Sequence, residues 1–328
     1  MNDIRWGILA TGGIAHMFTS DLRTAGLDVA AVGSRSQASA DAFAHEFEIP
    51  AAHGSYEALV ADPDVDIVYV ASPHGFHAEH AALALEAGKH VLVEKAFTLT
   101  QPQAAALRDL AAANKLLLME AMWTRYVPNM IRIRELIRSG TLGQVRAVIA
   151  DHTQALPTDP THRLNSLELG GGALLDLGVY PVSFAHDILG APETITATGR
   201  LGSTGADTEV VVTMTHADGA ISTSISSART AGPNEAHILG TEARIDLDPV
   251  WYTATTFRLV GRHGEVIESY DAPVAGRGMQ YEALAAEQYL REGRTSSELE
   301  PIDETVAIMG TLDEIRRQIG VRYPGVDR

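Results

Sequence analysis

The sequence predicts two domains in series: an α/β domain whose parallel sheet is covered by helices on both faces, then an α+β domain on a mostly antiparallel sheet. Three observations lead there. The chain has 328 residues, which at about 150 per domain suits two domains. Up to about residue 120, short apolar runs alternate with longer helical stretches, as in a parallel sheet buried on both sides. After Trp123 the strand-like runs gather together with few helices between them, as on an antiparallel sheet. With no low-complexity linker in view, the boundary is placed at 122, giving domains 1–122 and 123–328.

In the first domain, strands are expected at Ile4–Ala10, Asp28–Ser34, Ile67–Ser72, His90–Glu94 and Leu116–Glu120. Helices are expected at Ile14–Ala25, Ala38–Phe47, Ala78–Ala87 and Pro102–Ala113, the last with Thr100 as N-cap. The second domain opens with a helix at Pro128–Arg138 and has another around Leu174–Leu189. Its strands are Gln144–Thr153, Thr194–Arg200, Glu209–Thr215, Ile221–Ser227, Ala236–Leu239, Phe257–Val260 and Val266–Tyr270. His216-Ala217-Asp218-Gly219 reads as a hairpin turn. Helices at Gln280–Glu292 and Glu304–Ile319 close the chain.

Composition excludes several function classes. Forty-two acidic against twenty-five basic side chains leave a net charge of −17, which disfavours binding to nucleic acid or an anionic membrane. There is no cysteine, so thiol nucleophiles, disulfides and cysteine-bound zinc are out. No apolar run approaches the roughly 18 residues of a membrane span, and Met1–Gly7 carries no signal core. A soluble cytoplasmic protein is expected.

Ala10-Thr11-Gly12-Gly13-Ile14-Ala15 stands where the first strand meets the first helix. It reads as G-x-G-x-x-[GA] with alanine for the first glycine, a β-carbon that fits if φ is negative there. Such a turn needs a bare backbone at Gly12 and a small residue at Ala15, and its helix N-terminus offers N–H groups to a diphosphate. The second strand ends Gly33-Ser34-Arg35. Where a carboxylate would take the ribose hydroxyls of NAD, there is a hydroxyl and a guanidinium, which suit a 2′-phosphate. NADP is therefore expected over NAD, with NAD still possible.

The third expected strand leads into Ser72-Pro73-His74-Gly75-Phe76-His77 and the fourth ends Glu94-Lys95. Both fall at the carboxyl rim, where open parallel sheets bind ligands. In the second domain, Asp176 and Tyr180 stand four apart on one helix face, with Pro181 expected to kink or restart the helix.

With these segments, and with Glu120-Ala121-Met122-Trp123-Thr124-Arg125-Tyr126, Gly140-x-x-Gly143, His162-Arg163-Leu164, Gly170–Tyr180 and Gly240-Thr241-Glu242, the chain resembles the Gfo/Idh/MocA oxidoreductases. Its nearest likeness is to their dihydrodiol dehydrogenase, glucose–fructose oxidoreductase and sugar dehydrogenase branches. The resemblance spans nearly the whole chain. It implies a Rossmann domain, then an open-faced sheet whose outer face serves a homodimer or homotetramer. It also implies nicotinamide near Lys95, His74 beside the cofactor, and Tyr180 where many relatives carry histidine. The family usually reads Glu-Lys-Pro; here Ala96 follows Lys95 and leaves that loop's shape open.

Hydride exchange with a carbinol carbon needs a group to carry the hydroxyl proton. Free tyrosine titrates near 10, and a neighbouring ammonium lowers it by roughly 1–3 units. Tyr180 is thus read as acid/base, Lys95 as its tuning cation and Asp176 as a positioning group. A direct proton-carrying role for Lys95 stays open. The cofactor contacts expected are Ala10, Thr11, Gly12, Gly13, Ile14, Ser34, Arg35, Ser72, Pro73, His74, His77, Glu94 and Lys95. Trp123, Arg125, His152 and Arg163, with Asp176 and Tyr180, are the expected neighbours of a small polyhydroxylated substrate. His74, His77 and His80 are spaced for a metal, but no H-E-x-x-H motif accompanies them, and no metal is expected. Other readings of the same fold are a non-catalytic sugar or dinucleotide sensor and a redox-assisted glycosidase.

Overall fold

The structure, a computed structural model, describes residues 4–326; Met1–Asp3, at the head of the segment read for a signal core, lie outside them. It divides into two compact units. One runs as far as Tyr126 and regains the chain at Ala275–Val306; the other holds Val127–Val274 and the residues from Ala307 on. A single boundary at 122 leaves out that return, in which 275–306 packs on the first unit. Trp6 and Asp21 show why. The Trp6 indole donates to Glu287 at 3.1 Å, and Asp21 accepts the Arg277 and Met279 amides.

The first unit alternates β1 (Arg5–Leu9), α1 (Gly13–Thr24), β2 (Asp28–Gly33), α2 (Gln37–Phe47), β3 (Ala51–His53) and α3 (Tyr56–Val60). It continues with β4 (Ile67–Val70), α4 (His77–Glu86), β5 (His90–Glu94), α5 (Gln101–Asn114) and β6 (Leu118–Ala121). These make one sheet in the order β3-β2-β1-β4-β5-β6, all pairs parallel. The order reverses at β1, between β2 and β4, so a crevice opens at their carboxyl ends. The strands were legible because both faces are covered: Ile67, Val68, Tyr69 and Val70 are all fully buried. β3 and α3, of three and five residues, are too short to carry a period. Thr100 is the N-cap of α5, but its side chain makes no capping bond.

The second unit begins with α6 (Pro128–Arg138) and β7 (Val145–Thr153), followed by a π-type turn over Leu174–Gly178 that runs into α7 (Val179–Leu189). Then come β8 (Thr194–Leu201), β9 (Asp207–Thr215), β10 (Ile221–Ser227), β11 (Ala236–Gly240), β12 (Ala243–Leu247), β13 (Phe257–Gly261) and β14 (Val266–Tyr270). α8 (Gln280–Arg291) belongs to the return of the first unit, and α9 (Ile302–Ile319) carries the chain from one unit to the other.

Eight strands form the second sheet, β14-β13-β12-β11-β7-β10-β9-β8, antiparallel except where β10 pairs with β7. The expected hairpin joins β9 to β10, with Asp218 at φ 56°. β12, missed in the sequence, alternates Ala243, Ile245 and Leu247 inward with Arg244 and Asp246 between. Val148, Ala150 and His152 of β7 are buried on one face of the sheet, while Ile149 stands exposed on the other. Among the described residues, no helix is long and apolar enough to cross a membrane.

Candidate active site

In the first unit the expected cofactor residues gather on the carboxyl rim. Ala10 donates its N–H to Gly33 O at 2.9 Å, Ser34 N–H reaches His53 O at 3.0 Å, and Ala71 N–H reaches Leu9 O at 3.0 Å, so the turns after β1, β2 and β4 are knitted together. Ala10 has φ 83°, so the condition of a negative angle is not met. A β-carbon in that region costs about 1–2 kcal/mol, and the hydrogen bond from its N–H to Gly33 O holds it there.

Gly12 is the N-cap of α1, with no side-chain cap and no acid in the first turn. Its φ is −78° and a β-carbon there would meet nothing within 4 Å. Neither backbone strain nor packing asks for glycine; a bare, uncapped helix N-terminus facing open space fits a diphosphate. Thr11, Gly13 and Ile14 flank it, and Ala15 packs fully buried.

Arg35 is exposed beyond β2 and Ser34 is buried beside it. Burial pushes the Tyr56 phenol up in pKa, while the nearby charge of Arg35 opposes that. Tyr56 thus stands close to the guanidinium, and sequence alone gave no sign of it. His80, next to Tyr56 at 4.7 Å between ring centroids, places Nδ1 2.9 Å from Ser72 Oγ.

Pro73 caps a short turn from which His74 sends Nε2 to Lys95 O at 3.1 Å. His77, fully buried, lies with Nε2 2.7 Å from Ser72 O and Nδ1 2.9 Å from Ala96 O. Burial pushes its pKa down to about 3, against the pull of the two carbonyls. The three spaced histidines therefore address separate partners. Lys95 is half-buried on the loop after β5, and the Lys95–Ala96 peptide is cis.

Three expected contacts are already engaged or buried within this unit. The Glu94 carboxylate is buried and takes the Tyr69 hydroxyl, which ties β5 to β4. Arg125 is only 2% exposed. Its guanidinium pairs with Glu304 at 2.8 Å and Glu300 at 3.6 Å and donates to Leu299 O, which anchors it to the segment that returns to this unit. Trp123 is buried as well.

In the second unit, Asp176 lies in the π-type turn and Tyr180 in the first turn of α7. The departure from α geometry falls just before Pro181, whose ring lacks the N–H that would bond back to the preceding turn. Arg163 brings Nη1 to 3.4 Å from Asp176 Oδ1. The Tyr180 ring packs 5.0 Å from His152 and 5.3 Å from Tyr252, and His152 stacks on Tyr252 at 3.8 Å. Gln154 Nε2 lies 3.0 Å from His152 Nε2 and 3.3 Å from the Tyr252 hydroxyl. Tyr252 was not foreseen. Its neighbour Trp251, unassigned in the sequence, is fully buried, donates to Asp151 O at 2.7 Å and so delivers Tyr252 beside His152.

Asp207 secures the helix that carries Asp176 and Tyr180: its carboxylate accepts the Leu174 N–H at 2.6 Å. Gly172, at φ 138°, leaves room for it, since a β-carbon there would lie 2.2 Å from Asp207 Oδ1. Burial pushes the Asp207 pKa up from 3.8 to about 7, against the pull of the Leu174 and Ala173 amides. The folded state therefore keeps a proton that the unfolded chain releases. This group stabilises the fold in full below about pH 4, and that contribution declines as pH rises towards 7. Chemical unfolding from pH 4 to 8 should show wild type losing about 4 kcal/mol relative to Asp207→Asn across that window; parallel profiles would refute the assignment.

Residues 4–122 match the family described as "Oxidoreductase family, NAD-binding Rossmann fold", and residues 130–246 match its GFO/IDH/MocA C-terminal domain. The chain is 38% identical to a D-xylose 1-dehydrogenase (NADP(+)) of Hypocrea jecorina, covering 98% of this chain and 93% of that protein. It is 36% identical to the trans-1,2-dihydrobenzene-1,2-diol dehydrogenase of Mus musculus, covering 98% of each. Among solved structures, a 3-ketoreductase from Actinomadura kijaniata in complex with NADP and TDP-benzene is 28% identical, with a TM-score of 0.85 over 97% of this chain and 98% of that one. A parallel sheet in the order 3-2-1-4-5-6, a following mostly antiparallel sheet, and relatives matched over nearly their full length lead to one assignment: the chain belongs to the Gfo/Idh/MocA oxidoreductase family.

Proposed function

We propose that the protein is an NADP-dependent oxidoreductase that interconverts a hydroxyl-bearing carbon and its carbonyl on a sugar, sugar derivative or small diol. The observation that carries this reading is the first unit's rim: a bare helix N-terminus at Gly12, with the Arg35 guanidinium where an NAD site would hold a carboxylate. The names of the xylose and dihydrodiol dehydrogenases support the substrate class. Gly12, Gly13 and the first turn of α1 would hold the diphosphate, and Ser34 with Arg35 the 2′-phosphate. When bound, the nicotinamide supplies the hydride acceptor or donor.

Tyr180 takes the hydroxyl proton in oxidation and returns it in reduction. Lys95 offers its ammonium on the first unit's rim, and in the second unit Asp176 orients Arg163 towards substrate hydroxyls. His152 and Tyr252 offer ring faces beside Tyr180. A cytoplasmic setting follows, since free dinucleotide is an intracellular metabolite. Spectrophotometry at 340 nm with aldoses, ketoses, osones and vicinal diols should show turnover on part of the panel, faster with NADP(H) than NAD(H). Tight NADPH binding without turnover on any member overturns the reading in favour of a sensor.

The second sheet's outer face is proposed as the seat of a homodimer or homotetramer. Ile149, Val211, Ile221 and Ile225 are 41–47% exposed there, an apolar stripe of the kind that marks an interface. Sedimentation equilibrium should find an oligomer in wild type and a monomer in Ile149→Lys/Ile225→Lys. A monomeric wild type at micromolar concentration counts against it.

A further inference from the structure

Lys95 lies beyond the sheet's own hydrogen bonding. The ladder between β5 and β6 closes with Glu94 opposite Ala121, and the next three residues are held by side chains. His74 reaches Lys95 O and His77 reaches Ala96 O. The third tie comes from across the ladder: Phe97 N–H donates to Glu120 Oε1 at 2.9 Å, with both groups buried. Glu120 is on β6, opposite Val93.

Glu120 is a costly residue to keep there. Its Oε2 has no hydrogen-bond partner. Burial, with Glu300 and Glu94 nearby, pushes its pKa well above the carboxylate range, against the pull of Arg125. A leucine or methionine would pack without that penalty. What an apolar side chain cannot supply is the acceptor for Phe97 N–H.

We infer that Glu120 is a positioning residue for Lys95: through Phe97 N–H it fixes the loop that presents the ammonium. The inference rests on the catalytic reading of Lys95. The demand is for a carbonyl-type oxygen at the right reach, not for a charge. Glutamine meets it, methionine lacks the oxygen, and aspartate is one methylene short.

The test compares Glu120→Gln, Glu120→Met, Glu120→Asp and Lys95→Met for kcat, KM, NADPH affinity by fluorescence, and exchange of the Phe97 amide. For Glu120→Met, kcat should fall about 10- to 100-fold, with NADPH affinity held within about threefold, as a misplaced reacting group costs rate more than binding. Its Phe97 amide should exchange at least about tenfold faster. Glu120→Gln should restore most of kcat and the slow exchange; if Glu120→Met does not fold, Glu120→Asp takes its place with the same expected losses. Unchanged exchange in the methionine or aspartate variant overturns the tether. Equal loss of kcat in Glu120→Gln and Glu120→Met overturns the acceptor role. Wild-type kcat with fast exchange, where Lys95→Met is inactive, overturns the positioning role. A fully active Lys95→Met instead removes the reading of Lys95 and the positioning role with it, while the Phe97 exchange still reports whether the tether exists.

Discussion

Replacing Tyr180 by phenylalanine is expected to cut kcat by about 10²- to 10⁴-fold while NADPH binding stays near wild type, the range that general acid–base catalysis contributes. The substitution removes one oxygen and keeps the ring, so the contacts with His152 and Tyr252 at 5.0 and 5.3 Å survive, and the turn leading into α7 stays held by Asp207 at Leu174. Loss of rate would then report the proton and not the fold. The pH profile gives a second reading: in wild type, oxidation should rise with pH through the ionisation of the phenol and level off. Steady-state kinetics from pH 6 to 10 check both, and near-normal turnover by Tyr180→Phe would falsify the assignment.

Arg35→Ala should weaken NADPH binding by about 10- to 100-fold, the loss of charge-assisted hydrogen bonds to a phosphate, and leave NADH binding almost unaltered. The guanidinium is exposed, so its attraction to a phosphate is screened by salt, and the difference between wild type and variant should shrink between 50 mM and 500 mM salt. Fluorescence titration of both cofactors against wild type and the variant decides; an equal effect on NADH and NADPH would show that Arg35 does not read the 2′-phosphate.

The alternation of β1, β2, β4, β5 and β6 with α1, α2, α4 and α5 was readable without coordinates because it is written in local terms. A strand buried on both faces is an apolar run, and a phosphate-binding turn needs glycine at particular offsets from a strand end. The same holds for Arg35, which stands a fixed count beyond that turn, and for the hairpin at His216–Gly219. Contacts between distant stretches of chain were not readable. That Glu300 and Glu304, more than 170 positions away, hold the Arg125 guanidinium could not be read from its own motif. Tyr252 became a neighbour of Tyr180 because Trp251 anchors on Asp151, 100 positions back. The return of Ala275–Val306 to the first unit, the positive φ of Ala10 and the tie from Phe97 to Glu120 belong with these. Periodicity and turn chemistry act over a few residues, and they specified the elements and the residue types at the rim. Which buried charge meets which is settled by the packing energy of the whole fold, since an ion or N–H removed from water must find its partner wherever the chain brings one.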